Sequence, residues 1–413
     1  MSAGIHANAP PWGAAGAAGA AGAGVRAGAR FRRLALADFR SYERAEIAFD
    51  GRPVVISGAN GAGKTNLLEA LSLIGPGRGL RLARLDELPR IGGPGGWAVS
   101  ARLEDGEDER RLGVGASVAA PDRRLCRIDK SSVSGPSAFA EHVRFLWLTP
   151  AQDRLFMEGP GERRRFLDRM TLAHDPAHGG AANDYELAMR QRQKLLEARS
   201  RDEAWLSALE LQMAAAGVAL AAARRETAGA LAAADVADAA EAGDGEGAFP
   251  AADIGLEGLI ETALDHAPAA EVEEDFAERL RKNRRADAEA GRALVGPHRS
   301  DLLVVHRRTG RPARLASTGE QKALLIGLVL ANARALALKS RFRAGAPAPL
   351  VLLLDEIAAH LDAPRRAALF DILDRLGFQA FMTGTDHSLF SAWGRRAQGF
   401  SVTDGKVAQA DIK

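Results

Sequence analysis

The stretch Gly58 to Thr65, GANGAGKT, constrains this chain more than any other feature. It satisfies the spacing G-x-x-x-x-G-K-[ST] and sits between an apolar run, VVIS, and a helix-like run, KTNLLEALSLIG. Gly58 and Gly63 let the backbone turn tightly, so that successive N–H groups of Ala59, Asn60, Gly61 and Ala62 point into one concavity. The following helix adds its positive end there. Such a concavity suits the phosphates of a nucleotide. Lys64 is placed for the β- and γ-phosphates, and the Thr65 hydroxyl for a Mg²⁺ ion. An α/β core is the expected setting for this loop.

A phosphate loop needs an acid, and PLVLLLDE supplies one. Its continuous apolar run fits a buried parallel strand. Asp355 at the end of that strand can accept from a water on Mg²⁺, and Glu356 is the expected general base. In the following AHLDAPRR, Asp362 reads as a helix N-cap. FMTGTDH places Thr383, Thr385, Asp386 and His387 at the end of another strand, on the edge that faces the ligand crevice of an open α/β sheet. Each of these reads either as a phosphate-sensing group or as a turn residue. Roughly 250 residues beyond the phosphate loop, ASTGEQKALLIGLVLA runs from a polar glycine turn into an apolar helix. It is either an ordinary helix start or a second anion site.

RFRRLALADFRSY and RAEIAFDGRPVVISG each read as a strand, and residues 97–148 are strand-rich, suggesting a mainly antiparallel sheet beside the nucleotide site. From Gly161 the character is helical. A stretch from Tyr185 to about Ala234 shows little to break it, an acidic loop (DVADAAEAGDGEGAFPAAD) follows, and AEVEEDFAERLRKNRRADAEAGRA returns to helix. The organisation is therefore a head, residues 31–160 and 291–413, with an inserted helical arm, residues 161–290. DLLVVHRR and FQAFMTGT read as further strands and GFSVTDGKV as a terminal hairpin. Residues 1–30 are Ala/Gly-rich without the bulky apolar core of a secretory signal, and read as a disordered tail on a cytoplasmic protein. The single Cys126 fits a reducing compartment. No run approaches the roughly 18 consecutive apolar residues of a membrane span. A formal net charge of +2 gives no global sign of nucleic-acid binding. The clusters RRLCR, GERRRF and ERLRKNRRA read either as phosphate-neutralising patches or as solvated faces.

Several segments in series, LALADFRSYERAEIAF, ISGANGAGKTNLLEALSLI, FLWLTPAQDRLFMEGPGERRRFLDR, GRALVGPHRSDL, STGEQKALLIGLVLA, PLVLLLDEIAAHLD and FMTGTDHSLF, carry a resemblance. From about Phe31 to its C-terminus the chain resembles the RecF family, bacterial recombination-mediator ATPases related to the SMC-type heads of the ABC superfamily. TNLLEAL, ERRRFLD and VGPHRSDL discriminate better than the phosphate loop, which very many NTPases share. The resemblance implies an ABC-type ATPase head, a P-loop core plus an antiparallel β-subdomain, with the arm inserted. It implies a signature at Ser317, Thr318, Gly319 and Glu320 that reaches the γ-phosphate of ATP on a second subunit. It places Gln152 in a Mg²⁺- and γ-phosphate-sensing loop, although a plain polar loop residue is the simpler reading. Asp362 becomes a candidate for cross-subunit signalling. Arg40 lies either near the nucleotide or in a surface ion pair.

The same resemblance implies ATP and Mg²⁺ as cofactors, and an ATP-dependent homodimer that grips duplex DNA near single-strand gaps. Weak, slow hydrolysis serves as a switch, and RecR and RecO are the partners with which it helps RecA displace single-strand-binding protein. A structural SMC-type protein would need hundreds of heptad residues where this insertion has on the order of 130. A transporter ATPase subunit leaves VGPHRSDL unexplained. An ATP-gated scaffold without direct DNA contact remains an alternative, because no DNA-binding motif is legible.

Overall fold

The computed structural model describes residues 29–106, 108–200, 202–242, 247–342 and 348–412. The N-terminal Ala/Gly segment through residue 28, and residues 243–246 of the acidic loop, lie outside them. The chain opens with a hairpin, β1 (Arg30–Phe39) and β2 (Tyr42–Ala48), so the fold begins one residue inside the segment read as a tail. RAEIAFDGRPVVISG is not one strand. Asp50 accepts from the Arg52 N–H and Gly51 sits at φ 92°, a turn that separates β2 from β3 (Val54–Ser57). Helix α1 (Lys64–Leu73) follows the phosphate loop. Strands β4 (Trp97–Asp105), β5 (Asp108–Ser117), β6 (Ala120–Ile128) and β7 (Ser131–Val133) extend the hairpin into a six-stranded antiparallel sheet, ordered β2-β1-β4-β5-β6-β7. Strand β8 (Arg144–Leu148), read as part of that sheet, belongs elsewhere.

Three helices follow, α2 (Pro160–His174), α3 (His178–Glu197) and α4 (Glu203–Ala242). The stretch read as unbroken is interrupted: Arg199 takes φ 50°, and the Asp202 carboxylate accepts from Trp205 N–H to start α4. The segment read as helices joined by an acidic loop also contains a strand, β9 (Ala252–Glu257), followed by α5 (Leu259–Ala263), α6 (Ala269–Lys282) and α7 (Arg284–Ala290). Strands β10 (Asp301–His306) and β11 (Arg311–Pro312) complete a three-stranded sheet with β9. The remaining elements are α8 (Thr318–Phe342), β12 (Leu350–Leu354), α9 (Ala363–Leu376), β13 (Gln379–Gly384), β14 (Gln398–Thr403) and β15 (Lys406–Ala410).

The central sheet runs β15-β14-β3-β13-β12-β8, with β15 the antiparallel strand on its edge. Both faces are covered, which is why its strands are apolar without alternation. Val351 and Leu353 face a cluster with α1 and the antiparallel sheet, whereas Leu352 and Leu354 face one with α8 and α9. Helix α2 contributes Phe166, Leu167 and Met170 to this second cluster, and α4 contributes Leu231. Further along, α4 packs Leu209, Met213 and Leu220 with Tyr185, Phe276 and Leu280 in a separate arm core. The expected boundary at residue 161 thus falls inside the head's packing. Stretches of α4 and α8, Glu203–Asp235 and Thr318–Lys339, are long and apolar enough by composition to cross a membrane. Their most apolar windows are 50% and 78% buried within the fold, and α8 supplies Leu324, Leu325 and Val329 to the head core.

Candidate functional site

The phosphate loop leaves β3 with Gly58 at φ 154° and Gly63 at φ 113°. A Cβ at Gly58 would stand 2.3 Å from the Val402 carbonyl, and one at Gly63 would stand 2.8 Å from both the Ser41 and Tyr42 hydroxyls. Backbone strain and lack of space therefore both require glycine here. Tyr42 donates its hydroxyl to Gly63 O at 3.0 Å, and burial pushes its phenol up, which keeps it a donor. Lys64 is only 4% exposed. Its Nζ donates to the carbonyls of Gly58 (2.8 Å) and Ala59 (3.1 Å) and stands 3.3 Å from Glu356 Oε1. The three oxygens match the three donors of the ammonium, so a bound anion would have to replace one of them.

The acids come from β12, two strands away, and β13 lies between them. Its penultimate residue, Thr383, makes the connection. Thr383 donates to Asp355 Oδ1 at 2.6 Å and accepts from the Glu356 N–H at 2.9 Å. The Thr65 hydroxyl donates to Asp355 Oδ1 at 2.9 Å. Glu356 sits at φ 50°, a left-handed conformation uncommon outside glycine, and its bond to Thr383 helps to hold it there. One connected group thus joins Lys64, Thr65, Asp355, Glu356 and Thr383.

Thr65 and Asp355 line a cleft of about 610 Å³ whose other walls include Gln152, Trp147, Arg165 and Arg169. Gln152 reaches the same cleft, while its Oε1 accepts from the Thr149 N–H at 3.0 Å and caps a short turn after β8. The signature residues do not line this cleft. At the start of α8, Ser317 donates its backbone N–H and its hydroxyl to Glu320 Oε2, both at 2.8 Å. These bonds hold the Glu320 carboxyl below the usual range. Thr318 and Gly319 open the helix beside them. The structure therefore brings the loop and the acids together within one chain, but not the loop and the signature.

Other candidates have plainer roles. Asp362 caps α9 by accepting from Arg365 N–H at 2.8 Å, and Asp386 accepts from Ser388 N–H at 2.7 Å. Thr385 is exposed. Arg40 forms an ion pair that is not a surface one: it grips Glu69 of α1 through two bonds, 2.9 and 2.7 Å, and Glu69 is 1% exposed. The basic clusters spend much of their charge internally. Arg124 donates to the Leu73 and Gly77 carbonyls, Arg163 pairs with Asp301, and Arg165 with Glu162. Arg281 and Lys282 pair with Glu278, and Arg284 with Glu210. Sequence reasoning missed Tyr42, Trp147 and Arg169. It also missed Lys322, which ties α8 to Asp153 beside Gln152 at 3.0 Å. Only its place one turn into the signature helix hinted at that tie.

Residues 30–408 match the family described as the RecF/RecN/SMC N terminal domain. The chain is 49% identical over 379 residues to the DNA replication and repair protein RecF of Rhizobium rhizogenes, covering 92% of this chain and 98% of that one. It is 50% identical over 382 residues to the protein of the same name from Mesorhizobium japonicum, covering 92% and 97%. Among solved structures, the recombination mediator protein RecF-ATPrS of the RecFOR pathway superposes with a TM-score of 0.77 at 22% identity, covering 93% of this chain and 99% of that chain. An SMC head bound to the C-winged helix domain of ScpA gives 0.52 at 16%, covering 93% and 98%, a likeness of fold.

Proposed function

The chain belongs to the RecF family, and from that premise we propose that it is an ATP-dependent switch of DNA replication and recombinational repair. In this reading two copies close on duplex DNA at single-strand gaps. The observation that carries it is the split site. Lys64, Thr65, Asp355 and Glu356 converge in one chain, while Ser317 and the N-terminus of α8 stand apart, with the Ser317 donors turned on the chain's own Glu320. A second copy can supply those donors.

The residues fit the nucleotide and its metal. The loop offers a turn whose backbone and packing require glycine at Gly58 and Gly63, and a buried ammonium at its base. Thr65 and Asp355 form the hydroxyl–carboxylate pair that would hold Mg²⁺, with Gln152 on the facing wall. Mg²⁺, when bound, neutralises charge building on the phosphates. Lys64 orients the β- and γ-phosphates, and Glu356 takes the proton of the attacking water at a carboxylate oxygen. Ser317, Thr318 and Gly319 of a second copy would complete the far side, with Asp362 and Glu320 at the same junction. Two-fold symmetry forms both sites together. ATP then favours the closed pair, because only there does the γ-phosphate gain its second set of donors. Slow hydrolysis, at most a weak ATPase activity, ends the closed state.

Residues 31–160 and 291–413 form the head in this proposal and residues 161–290 the inserted arm, with α2 and β9 as its roots. The cytoplasm is the proposed compartment, RecR and RecO the partners, and loading of RecA the purpose served. That the solved RecF relative is a mediator of the RecFOR pathway supports this. The internal pairing of the basic clusters favours a second reading, an ATP-gated protein scaffold without direct DNA contact.

One experiment separates them: self-association and binding to gapped duplex DNA, with and without ATP, for wild type, Lys64→Ala, Ser317→Arg and Glu356→Gln. ATP should drive both in wild type, Lys64→Ala and Ser317→Arg should lose both, and Glu356→Gln should hold them on. ATP-driven pairing without DNA binding supports the scaffold. DNA binding by monomeric Ser317→Arg regardless of ATP defeats the split site.

A further inference from the structure

The cleft beside Thr65 and Asp355 contains a cation that the nucleotide reading does not use. Arg169, on α2, lays its guanidinium 3.5 Å from the centre of the Trp147 ring on β8. The two side chains line both the 610 Å³ cleft and an adjoining cavity of about 220 Å³. The other arginines of α2 are committed: Arg163 to Asp301, Arg164 to the Ser300 carbonyl and Arg165 to Glu162. Arg169 is not. Its Nε is buried without a hydrogen-bond partner, and among the described residues no carboxylate pairs with it.

Nearby acids are already engaged or stand at the rim. Asp168 serves His178 and Arg224, and Asp355 is held by Thr65 and Thr383. Glu162 has Arg165, and Glu158 is exposed at the cleft edge. Desolvation pushes the Arg169 guanidinium down to about 9, which still leaves it a cation at neutral pH. A desolvated charge without a counter-ion is costly, and the Trp147 face offsets only part of that cost. Arg169 lines the cleft that also holds the hydroxyl–carboxylate pair Thr65–Asp355.

We propose that Arg169, stacked on Trp147, is an anion-binding residue that receives a tetrahedral phosphate group in this cleft. The inference rests on reading Gly58–Thr65 as an ATP loop. The phosphate has two sources, the terminal phosphate of bound ATP or the inorganic phosphate left after hydrolysis. A planar fork, charged at neutral pH and fixed against an indole, suits either, since two N–H groups meet two phosphate oxygens with little loss of side-chain freedom.

The probes are inorganic phosphate in the presence of Mg-ADP, a non-hydrolysable ATP analogue with Mg²⁺, and Mg-ADP alone. Each is titrated calorimetrically and by tryptophan emission into full-length wild type, Arg169→Met, Arg169→Lys and Trp147→Phe. Phosphate or the analogue should change the emission of wild type, and that change should vanish in Trp147→Phe. Arg169→Met should weaken one phosphate ligand about tenfold or more while Mg-ADP binding stays within about twofold, and Arg169→Lys should fall between. A loss confined to the analogue assigns Arg169 to the terminal phosphate of bound nucleotide. A loss confined to inorganic phosphate assigns it to the product. Unchanged affinity for all three ligands in both Arg169 variants overturns the proposal, and Arg169→Lys carries the test if Arg169→Met does not fold. Failure of wild type to bind Mg-ADP would instead overturn the ATP reading, and this inference with it.

Discussion

Thr383→Val removes one hydroxyl and nearly keeps the shape of a fully buried side chain, yet it should disturb both acids at once. The hydroxyl donates to the Asp355 carboxylate at 2.6 Å and accepts from Glu356 N–H at 2.9 Å. A hydrogen bond to a charged group contributes about 1.5–3 kcal/mol, and an orphaned backbone N–H costs about 1–3 kcal/mol. The two share one oxygen and Asp355 keeps its bond from Thr65, so the losses do not add fully, and the expected destabilisation is about 3 kcal/mol. The local effect is larger in kind. Glu356 loses the bond that helps hold it at φ 50°, so the proposed general base drifts from its position. Steady-state ATP turnover should fall between about tenfold and a hundredfold, with Mg-ADP affinity little changed, because the phosphate loop itself is untouched. Urea denaturation, turnover and ADP titration on the same preparations measure all three. A Thr383→Val protein with wild-type stability and wild-type turnover would refute the claim that β13 positions the acids.

Two further outcomes follow from buried polar groups. His174 is buried between α2 and α8, bonded to Asn332 Oδ1 at 2.7 Å, and desolvation pushes it down to about 4. Its folded value lies below the ordinary one, so its contribution is complete above about pH 6.5 and is lost as pH falls toward 4, about 3 kcal/mol at most. The urea midpoint of wild type should therefore drop more between pH 7 and 5 than that of His174→Gln, and equal drops would contradict this. In the arm, Arg192 bonds Glu210 (3.0 Å), Asp287 (2.7 Å) and the Leu280 carbonyl, all buried. Arg192→Met should cost about 3–5 kcal/mol, chiefly by stranding Asp287, since Glu210 keeps its pair with Arg284, and adding Asp287→Asn should restore part of it in thermal melts. No recovery would mean that the charges are not what Arg192 serves.

The parts of the site legible in the sequence were those written in adjacent residues. Gly58 to Thr65 and Leu350 to Glu356 carry their geometry in their own spacing, so strand and turn could be read together. What depended on distant partners was not legible. VRFLWL looks the same in an antiparallel sheet as in a parallel one, and only pairing with β12 decides for β8. Ala252, Ile254 and Leu256 alternate as a strand should, but β9 needs β10 beyond the arm to exist. The arginines of GERRRF looked like surface charge, because Asp301 and the Ser300 carbonyl, which receive two of them, lie far along the chain. The burial of the Arg40 ion pair was not legible for the same reason, since its partner Glu69 sits on the buried side of α1. Ser317 is the reverse case. Its local reading as a helix cap is what the structure shows, and its proposed role needs a second chain.

The measurement that bears most directly on a shared site is a mixing experiment. Lys64→Ala and Ser317→Arg are each examined by analytical ultracentrifugation with ATP and Mg²⁺, alone and as an equimolar mixture. In a mixed pair, the Ser317→Arg chain supplies an intact phosphate loop and the Lys64→Ala chain an intact signature, which rebuilds one complete site. A composite site predicts two monomeric variants whose mixture associates only when ATP is present. Association of Ser317→Arg alone, or a mixture that stays monomeric where wild type pairs, would contradict it.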